Sequence, residues 1–482
     1  MQKMFLITAL SLFSYASNAQ SLAGDGCGTV TTQEEMQAIY DFVQSNNAVK
    51  HKTTTTVDSI PLTIHIVSKD DGTGGYPLQN LFPLICNLNT RYAPVSMYFY
   101  IAWPIRFISN SSYYQHDFST GYQMMQSNNV GQTTNVYLVE DPAGTCGYFS
   151  PGADGVAIGK KCAAVNSTTL VHELGHYFGL PHTFYGWENG NTPTMSKQEL
   201  VRRGVGANCT TAGDGFCDTD ADYLYNRWSC PYNGFNVLLD QTGDTLKPDP
   251  TLYMSYSDDA CMTRFSTLQI GAMRNNLYNK RNYLRTKTAT PYAAMSVPTV
   301  INPVNNMIYS NTKWISWNNV PGAEYYYVKI TSAALPTVIR QEALTNNTYM
   351  NITMPLSAGA NYLVTIVPLN GKNVCGTNTI GYPFSYSTAL GVEDATAKDN
   401  KILVQPNPII NQASISITTL KKGNYSLQVY NMAGQLMQQQ PEHHQGGSLN
   451  STINMASFPN GVYTLAIVGE GFKAVEKMIV QH

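Results

Sequence analysis

The chain has 482 residues, of which 43% are hydrophobic and 12% are charged, and its formal net charge is −2. This length exceeds that of one ordinary domain and predicts about three domains. The near-neutral charge gives no support to nucleic-acid binding or to attraction by an anionic membrane.

The first 19 residues are typical of a secretory signal peptide. Lys3 precedes a short apolar run that ends in the small-residue pattern Ser17-Asn18-Ala19, which predicts cleavage after Ala19. The run is shorter than the roughly 20 residues that cross a bilayer, and no later stretch reaches that length, so we expect no transmembrane segment. Export predicts that most of the nine cysteines pair and that at least one is left over.

Residues 20–51 are too few to bury a core and are interpreted as a pro-segment with one helix. Thr32 and Glu35 have the spacing of a capping box at the start of that helix. The α+β region 52–287 follows. It has strand patterns at 61–67, 96–108, 134–140 and 154–159, and helix patterns in YPLQNLFPLICNLNTRY and STTLVHELGHYFG. We expect a Ser/Thr cap at the start of the second helix.

Two small β-sandwich domains are predicted to follow, at 288–390 and 391–482. Residues 313–330 contain a tryptophan strand, a Pro-Gly corner and a tyrosine-rich strand, and they resemble a fibronectin type III unit. That unit is open to two interpretations, a binding module or a spacer. The last segment shows alternating strands separated by turn residues.

The stretch VHELGHYFGLPHTF at 171–184 carries the chemistry of the chain. His172 and His176 lie one helical turn apart on one face, so both imidazoles can reach one ion. Gly179 permits the turn that brings His182 back as a third ligand. Three neutral nitrogens leave one position open, which is typical of a catalytic zinc site, and Glu173 stands beside it as a general base.

This extended motif resembles that of the metzincin metalloproteases. Together with GDGFCDTD at 213–220 and YMSYSDDACMTRFS at 253–266 it resembles the pappalysin family, and the resemblance covers roughly residues 55–285. It implies a metzincin-type catalytic domain, with a mixed sheet and an active-site helix, and it implies Met254 as the methionine of the turn under the metal. The family commonly has proline where this chain has Asp220.

The residues and the resemblance predict a secreted zinc endopeptidase. Tyr256 matches a metzincin tyrosine that helps to stabilise the tetrahedral intermediate. The other interpretation of Tyr256 is a packing role. Asp259 matches an aspartate in the pocket for the residue after the scissile bond. It predicts cleavage on the amino side of Arg or Lys, unless it is a solvated turn carboxylate. By resemblance, the strand VYLVE is expected to be the edge along which an extended substrate pairs.

The resemblance also bears on the cysteines. It implies that Cys27 binds the zinc in a latent zymogen, although pairing with Cys86 is an alternative. Cleavage before Lys50 or Lys52 would then release the enzyme. Family spacing implies two disulfides, Cys209–Cys261 and Cys217–Cys230. Cys146 and Cys162 flank a short strand hairpin, and we expect them to form a further pair.

The acidic loop AGDGFCDTDAD suits calcium, with Asp214, Asp218, Thr219, Asp220 and Asp222 as oxygen donors. Family members bind calcium near this loop. The loop lacks the regular spacing of an EF-hand, so a solvated acidic loop is the other interpretation.

Three motifs near the C-terminus resemble the type IX secretion sorting domain: 406–408, 431–435 and 461–463. This resemblance implies the secretion machinery and protein substrates as partners, with export through the periplasm to the outer cell surface or the medium. The rival to a protease is an adhesin or carbohydrate-binding protein, in which residues 290–389 carry the function and the metalloprotease-like domain is inert.

Overall fold

The computed structural model describes residues 26–45, 56–187, 198–223, 230, 238–286, 295–310, 313–375, 380–388, 402–469 and 472–482. Several predicted features lie outside these residues. They are the signal peptide, the cleavage candidates Lys50 and Lys52, the boundary between the first domain and the first sandwich, and the boundary between the two sandwiches.

A mixed six-stranded sheet forms the centre of the first domain. Strand β1 is buried along nearly its whole length, as a central strand covered on both faces must be. It pairs in parallel with β2, β3 and β5; β8 continues the parallel sheet beside β5, and β7 closes it as an antiparallel edge. The six strands of this sheet are β1 Asp58–Ser68, β2 Met97–Ile101, β3 Arg106–Ser109, β5 Thr134–Val139, β7 Gly147–Ser150 and β8 Gly155–Gly159. Two further short strands, β4 Gln115–His116 and β6 Asp141–Pro142, pair with each other.

Six helices accompany this sheet within the described residues. They are α1 Gln33–Gln44, α2 Leu78–Tyr92, α3 Ser111–Tyr114, α4 Phe118–Asn128, α5 Thr169–Tyr177 and α6 Thr267–Asn279. Thr32 and Glu35 form the capping box of α1. The single strand predicted at 96–108 is instead two strands, because Trp103-Pro104 falls between them and proline has no N–H for the ladder. Strand β2 pairs with the first half of β1, and β3 pairs with the second half.

Helix α1 is anchored to the catalytic core. Met36, Ile39 and Phe42 recur at helical spacing and are buried in the same apolar cluster as the central sheet. The hydroxyl of Tyr40 donates to the carbonyl of Gly213 at 3.1 Å. The predicted pro-segment is therefore packed against the domain that it precedes.

The second unit is a sandwich of a five-stranded and a three-stranded sheet, in the orders β10-β16-β15-β12-β13 and β14-β11-β9. Trp317 and Tyr326 pack edge to face in its core. Its strands are β9 Val300–Asn302, β10 Met307–Tyr309, β11 Trp314–Trp317, β12 Tyr325–Ser332, β13 Leu335–Thr345, β14 Tyr349–Asn351, β15 Asn361–Leu369 and β16 Gly381–Ser387.

The sandwich is packed against the catalytic domain at strand β2. The N–H of Ile101 donates to the carbonyl of Gly371 at 2.9 Å, and Trp103 stacks on Tyr325 with 4.5 Å between ring centroids. A disulfide joins Cys86 to Cys375 across the same contact. The β-rich unit is thus held to the catalytic domain by backbone, side-chain and covalent links.

The third unit is another two-sheet sandwich with a separate core. Its sheets have the orders β17-β18-β21 and β20-β19-β22-β23. The strands are β17 Leu403–Gln405, β18 Gln412–Leu420, β19 Gly423–Asn431, β20 Leu436–His444, β21 Gly447–Asn454, β22 Gly461–Gly469 and β23 Phe472–Val480. The fold class predicted from the sequence, an α+β domain followed by two small β-sandwiches, is confirmed.

The disulfides differ in part from those implied by family spacing. The structure pairs Cys209 with Cys217 and Cys230 with Cys261, so the predicted Cys209–Cys261 and Cys217–Cys230 pairs are wrong. The loop at 208–217 turns back on itself and brings its two cysteines within 5.1 Å between Cα atoms, which spacing along the chain does not reveal. The structure also contains the Cys146–Cys162 bond.

Candidate metal centre and active site

Helix α5 places two histidines on one buried face, in close contact with the turn that holds Met254. His172 and His176 are both nearly inaccessible, and between them lies Gly175. A side chain at Gly175 would overlap the sulfur of Met254, which is itself fully buried. The glycine therefore permits the methionine to lie directly against the helix that carries the histidines.

The chain leaves α5 through Gly179 and returns His182 to the same point. Gly179 has a φ of +90°, a conformation that favours glycine, and its N–H donates to the carbonyl of His176 at 2.8 Å. His182 is buried after this turn and stacks on Phe184 with 4.5 Å between ring centroids. The expected third imidazole thus meets the other two.

The three imidazoles are arranged to hold a cation. The Nε2 atom of His176 lies 3.1 Å from the Nε2 atoms of both His172 and His182. The Nδ1 atoms of His172 and His176 donate to the backbone carbonyls of Tyr253 and Leu180 at 2.6 and 2.7 Å. These bonds leave lone pairs on both Nε2 atoms, and two lone pairs at 3.1 Å repel unless a cation lies between them. The donor set fits zinc.

Electrostatics favour the neutral imidazole that a metal requires. Burial, followed by the neighbouring imidazoles, lowers the pKa of His176 well below its usual value. Burial and His172 lower the pKa of His182 in the same direction. Both rings are therefore uncharged at neutral pH and can bind a cation without first losing a proton.

Glu173 lies next to the imidazoles in a fully buried position. Burial raises the pKa of Glu173 to about 7, and hydrogen bonds to the carboxylate oppose part of that rise. A carboxyl group with a pKa near the working pH can accept and release a proton in one catalytic cycle. Its position beside a metal-binding cluster is the one that the sequence predicted for the general base.

Residues 26–29, which we name the inhibitory strand after the role that we propose for them, lie across this site. The N–H of Gly28 donates to the carbonyl of Gly147 at 2.8 Å and the N–H of Cys146 donates to the carbonyl of Gly26 at 2.9 Å, so the segment runs parallel to β7. Strand β7 is therefore the edge of the sheet with which this segment pairs. The expectation that VYLVE forms this edge is wrong, because β5 is paired on both sides by β1 and β8.

Cys27 is brought into the metal-binding cluster. Its sulfur and one nitrogen of each histidine lie within 4.8 Å of one another, and Cys27 is the cysteine without a disulfide. The alternative pairing with Cys86 is wrong, since Cys86 is bonded to Cys375. Burial, followed by the charge of Glu173, raises the pKa of the Cys27 thiol, and a bound cation would act in the opposite direction.

The next residues of the inhibitory strand occupy the other polar groups of the site. Thr29 is buried; its hydroxyl donates to Glu173 at 3.0 Å and accepts from the N–H of Phe149 at 2.8 Å. The hydroxyl of Tyr256 accepts from the N–H of Cys27 at 2.6 Å and donates to the carbonyl of Cys27 at 3.2 Å. Tyr256 therefore has a polar role in the site as well as packing contacts.

Asp259 borders the cavity next to these residues. It accepts two hydrogen bonds from Thr168, one from the N–H at 3.0 Å and one from the hydroxyl at 2.5 Å. The N-cap residue of α5 is a threonine, Thr168, as expected, but its hydroxyl donates to Asp259 instead of accepting from the helix. The hydroxyl of Ser167 accepts from the N–H of Thr169 at 3.2 Å. The cavity is lined by Gly26, Cys27, Cys146, Thr168, Thr169, His172, Glu173, Ser255, Tyr256, Ser257, Asp259 and Met262.

The acidic loop does not bring the predicted calcium donors to one point. Asp218 accepts from the hydroxyl of Ser266 and the N–H of Leu268 at the start of α6, and Asp220 is exposed. Thr219 donates to the buried Asp214. Within the described part of the chain, the Cys/His cluster is the one group with metal-ligand geometry. Calcium binding at this loop stays a prediction.

The structure adds residues that the sequence did not assign to the active site. Thr29 and Thr168 contact Glu173 and Asp259, respectively. Asp222 accepts from the hydroxyls of Thr183 and Ser255 at 2.5 and 2.8 Å, which links the turn after His182 to the turn at Met254. In the sequence, each threonine is recognisable only as a hydroxyl residue next to a motif. Such residues are too common to predict a role in the site.

Comparison with known proteins agrees with this organisation. Residues 403–481 match the family model for the secretion system C-terminal sorting domain. The third unit is a type IX sorting domain. This recognition and the predicted destination, the cell surface or the extracellular space, are confirmed. Every helix within the described ranges falls short of the length and apolarity that a membrane span requires.

The earlier part of the chain is similar to extracellular metalloproteases of fungi. A protein of Podospora anserina is 27% identical over 288 residues, which cover 51% of this chain and 87% of that one. A protein of Colletotrichum graminicola is 27% identical over 294 residues, with 55% and 93% covered. The prediction of a secreted metalloprotease is confirmed.

Among solved structures, this chain is similar to a promirolysin mutant of Tannerella forsythia. The identity is 19%, the match covers 54% of this chain and 95% of that one, and the TM-score is 0.37.

Proposed function

We propose that this protein is a zinc-dependent endopeptidase that is made as a latent precursor and cleaves extracellular proteins on the amino side of Arg or Lys. The observation that carries the proposal is the convergence of three buried imidazoles, with Nε2 of His176 3.1 Å from Nε2 of both His172 and His182, beside the fully buried carboxyl group of Glu173. A buried acid next to a cation site has a clear use in hydrolysis. An adhesin would have no chemical need for Glu173.

The proposed mechanism assigns one task to each group. Zinc held by His172, His176 and His182 would polarise the scissile carbonyl and acidify the attacking water. Glu173 takes the proton of that water and passes it to the leaving amine. The hydroxyl of Tyr256, which donates to a backbone carbonyl in the latent form, donates to the carbonyl oxygen of the substrate as negative charge develops on it.

The proposed specificity depends on Asp259. Its half-buried carboxylate borders the same cavity as Glu173, so a basic side chain next to the scissile bond would find a partner there. After removal of residues 26–29, the edge β7 would pair with the backbone of the substrate. An extended chain already lies along that edge, in the form of residues 26–29.

The proposed latency depends on the inhibitory strand. It covers the edge β7, its thiol reaches the histidine cluster, and its hydroxyl at Thr29 binds Glu173. A substrate and the inhibitory strand cannot occupy these groups together. Removal of the pro-segment, with cleavage before Lys50 or Lys52 as the proposed step, would therefore be required for activity.

The proposal is tested with processed enzyme and its Glu173→Gln variant. Both proteins should contain about one zinc per chain, and cleavage sites in a proteome digest should precede Arg or Lys in the wild type alone. Glutamine retains the shape of glutamate but cannot accept the proton, so we expect the variant to lose at least about 1,000-fold in kcat. Full activity of Glu173→Gln, or a wild-type enzyme without metal, would refute the proposed chemistry.

A further inference from the structure

The carboxylate of Asp259 is held from the active-site helix by a single residue. Thr168 is 1% exposed and immediately precedes α5, which carries His172 and Glu173. Its N–H and its hydroxyl both donate to Oδ1 of Asp259, at 3.0 and 2.5 Å. The short hydroxyl bond and the location at a helix N-terminus both favour a carboxylate in this orientation.

The backbone around Asp259 is restrained from the opposite side as well. The N–H of Cys261 donates to the carbonyl of Asp258 at 2.7 Å, and Cys261 is bonded to Cys230. This tight turn limits the movement of the backbone, and Thr168 limits the rotation of the side chain. The orientation of the carboxylate is therefore determined by two elements that meet at the wall of the cavity.

This orientation has a consequence for recognition. Both hydrogen bonds that the structure describes for the Asp259 side chain fall on Oδ1, so Oδ2 is the oxygen with capacity for a guest cation. A fork-shaped guanidinium binds best when it can use both oxygens of a carboxylate, whereas an ammonium needs only one. With Oδ1 occupied by two donors, the advantage of arginine over lysine should be small.

We propose that Thr168 is a positioning residue for substrate specificity: it directs Oδ2 of Asp259 into the cavity and makes lysine an acceptable residue after the scissile bond alongside arginine. This inference rests on the proposed function, which supplies the catalytic site and the basic preference. Thr168 acts through Asp259, and its hydroxyl is the group that orients the carboxylate.

The test uses processed, zinc-loaded enzyme and three matched peptides that differ only in having Arg, Lys or Leu after the scissile bond. In Thr168→Val, which retains the shape but loses the hydroxyl, Oδ1 keeps the bond from the backbone N–H and loses the bond from the side chain. Oδ1 then has capacity for one guanidinium N–H, and the carboxylate is less restrained. We expect KM for the Lys peptide to rise about tenfold and KM for the Arg peptide to rise less, so that the Arg-to-Lys ratio of kcat/KM increases at least about threefold. Thr168→Ser should restore the wild-type ratio.

Two controls separate this role from a general effect on the helix. Ser167→Ala removes a neighbouring hydroxyl that bonds to Thr169 and not to Asp259, and it should leave the Arg-to-Lys ratio unchanged. Zinc content and melting temperature identify variants that have lost the site. If Thr168→Val does not fold, Thr168→Ala provides the same measurement.

The outcomes distinguish this inference from the function on which it rests. Asp259→Asn should lose the preference for both basic peptides over the Leu peptide. If Asp259→Asn loses it while a folded, zinc-loaded Thr168→Val or Thr168→Ala keeps the wild-type KM values and ratio, the role of Thr168 is wrong and the basic specificity stands. If the wild type does not prefer basic peptides, the proposed specificity is wrong and the role of Thr168 is refuted with it.

Discussion

Replacing Thr29 by valine should weaken latency without changing the processed enzyme. The hydroxyl of Thr29 makes two buried bonds, a donation to Glu173 at 3.0 Å and an acceptance from the N–H of Phe149 at 2.8 Å. Valine has the same shape and makes neither bond. Cys27 and its contacts are retained, so the change isolates the hydroxyl from the thiol.

The size of the effect follows from these two bonds. A hydrogen bond to a charged group contributes about 1.5 to 3 kcal/mol, and an unpaired buried N–H adds a cost of about 1 to 3 kcal/mol. Allowing for partial access of water to both groups, we expect the inhibitory strand to lose about 2 to 4 kcal/mol of its binding. Because about 1.4 kcal/mol corresponds to a factor of ten, the open fraction should increase roughly 30- to 1,000-fold.

The assay follows the hydrolysis of a quenched fluorescent peptide by purified precursor. Thr29→Val should show a shorter lag before activation than the wild type, and Thr29→Ser should behave like the wild type because it keeps the hydroxyl. Val30→Ala is the matched control, since Val30 is 75% exposed. A lag in Thr29→Val equal to that of the wild type would show that the hydroxyl does not hold the inhibitory strand.

Three further predictions concern the core of the catalytic domain. Gly175→Ala forces a methyl group against Met254 beneath the metal ligands, and measured zinc content and kcat should both fall more than tenfold. Asp58→Ala leaves the buried Arg274 without its ion pair, so urea denaturation should show a loss of about 3 to 5 kcal/mol. Burial lowers the pKa of His65 to about 4. As the pH falls, this histidine is therefore protonated in the unfolded chain before it is protonated in the folded protein. Stability should therefore fall between pH 6.5 and 4, by roughly 3 kcal/mol, and His65→Phe should show a smaller loss over that range.

The parts of the fold and site that were predictable are those encoded over a few residues. His172 and His176 share a helical face through their spacing, and Gly179 explains the return of His182. Helix α6 was not predicted because its buried face includes Gln269 and Arg274, which hide the apolar periodicity. The hairpin expected between Cys146 and Cys162 is formed by β7 and β8. The position of β7 at the edge of the sheet was not predicted, because a strand of four residues carries little pattern that would identify its neighbours.

The contacts on which the proposed latency and the proposed orientation of Asp259 depend join distant parts of the chain. Thr29 and Glu173 are 144 residues apart, and Thr168 and Asp259 are 91 residues apart. A sequence pattern carries no register between such segments. The same limitation explains the incorrect disulfides, since each cysteine in the loop at 208–217 had several partners at plausible spacing.

The disulfide between Cys86 and Cys375 leads to a prediction about the sandwich domain. It spans 289 residues, and Trp103 stacks on Tyr325 at the same interface. If the sandwich supports the catalytic domain, breaking this bond should lower the temperature at which processed enzyme loses activity. In the chain-entropy account, a loop of this length contributes about 5 to 6 kcal/mol, whereas the loop closed by Cys146–Cys162, which spans 16 residues, contributes about 3 kcal/mol.

The measurement compares thermal inactivation of two double variants, Cys86→Ser with Cys375→Ser and Cys146→Ser with Cys162→Ser. The first pair should have the larger effect, because the longer closed loop restricts the unfolded chain more strongly. Adding Trp103→Ala to the first pair should lower the inactivation temperature further, since the stacked interface then loses its largest ring. If the first pair inactivates at the wild-type temperature while the sandwich has already melted, the sandwich is a spacer and the catalytic domain is stable without it.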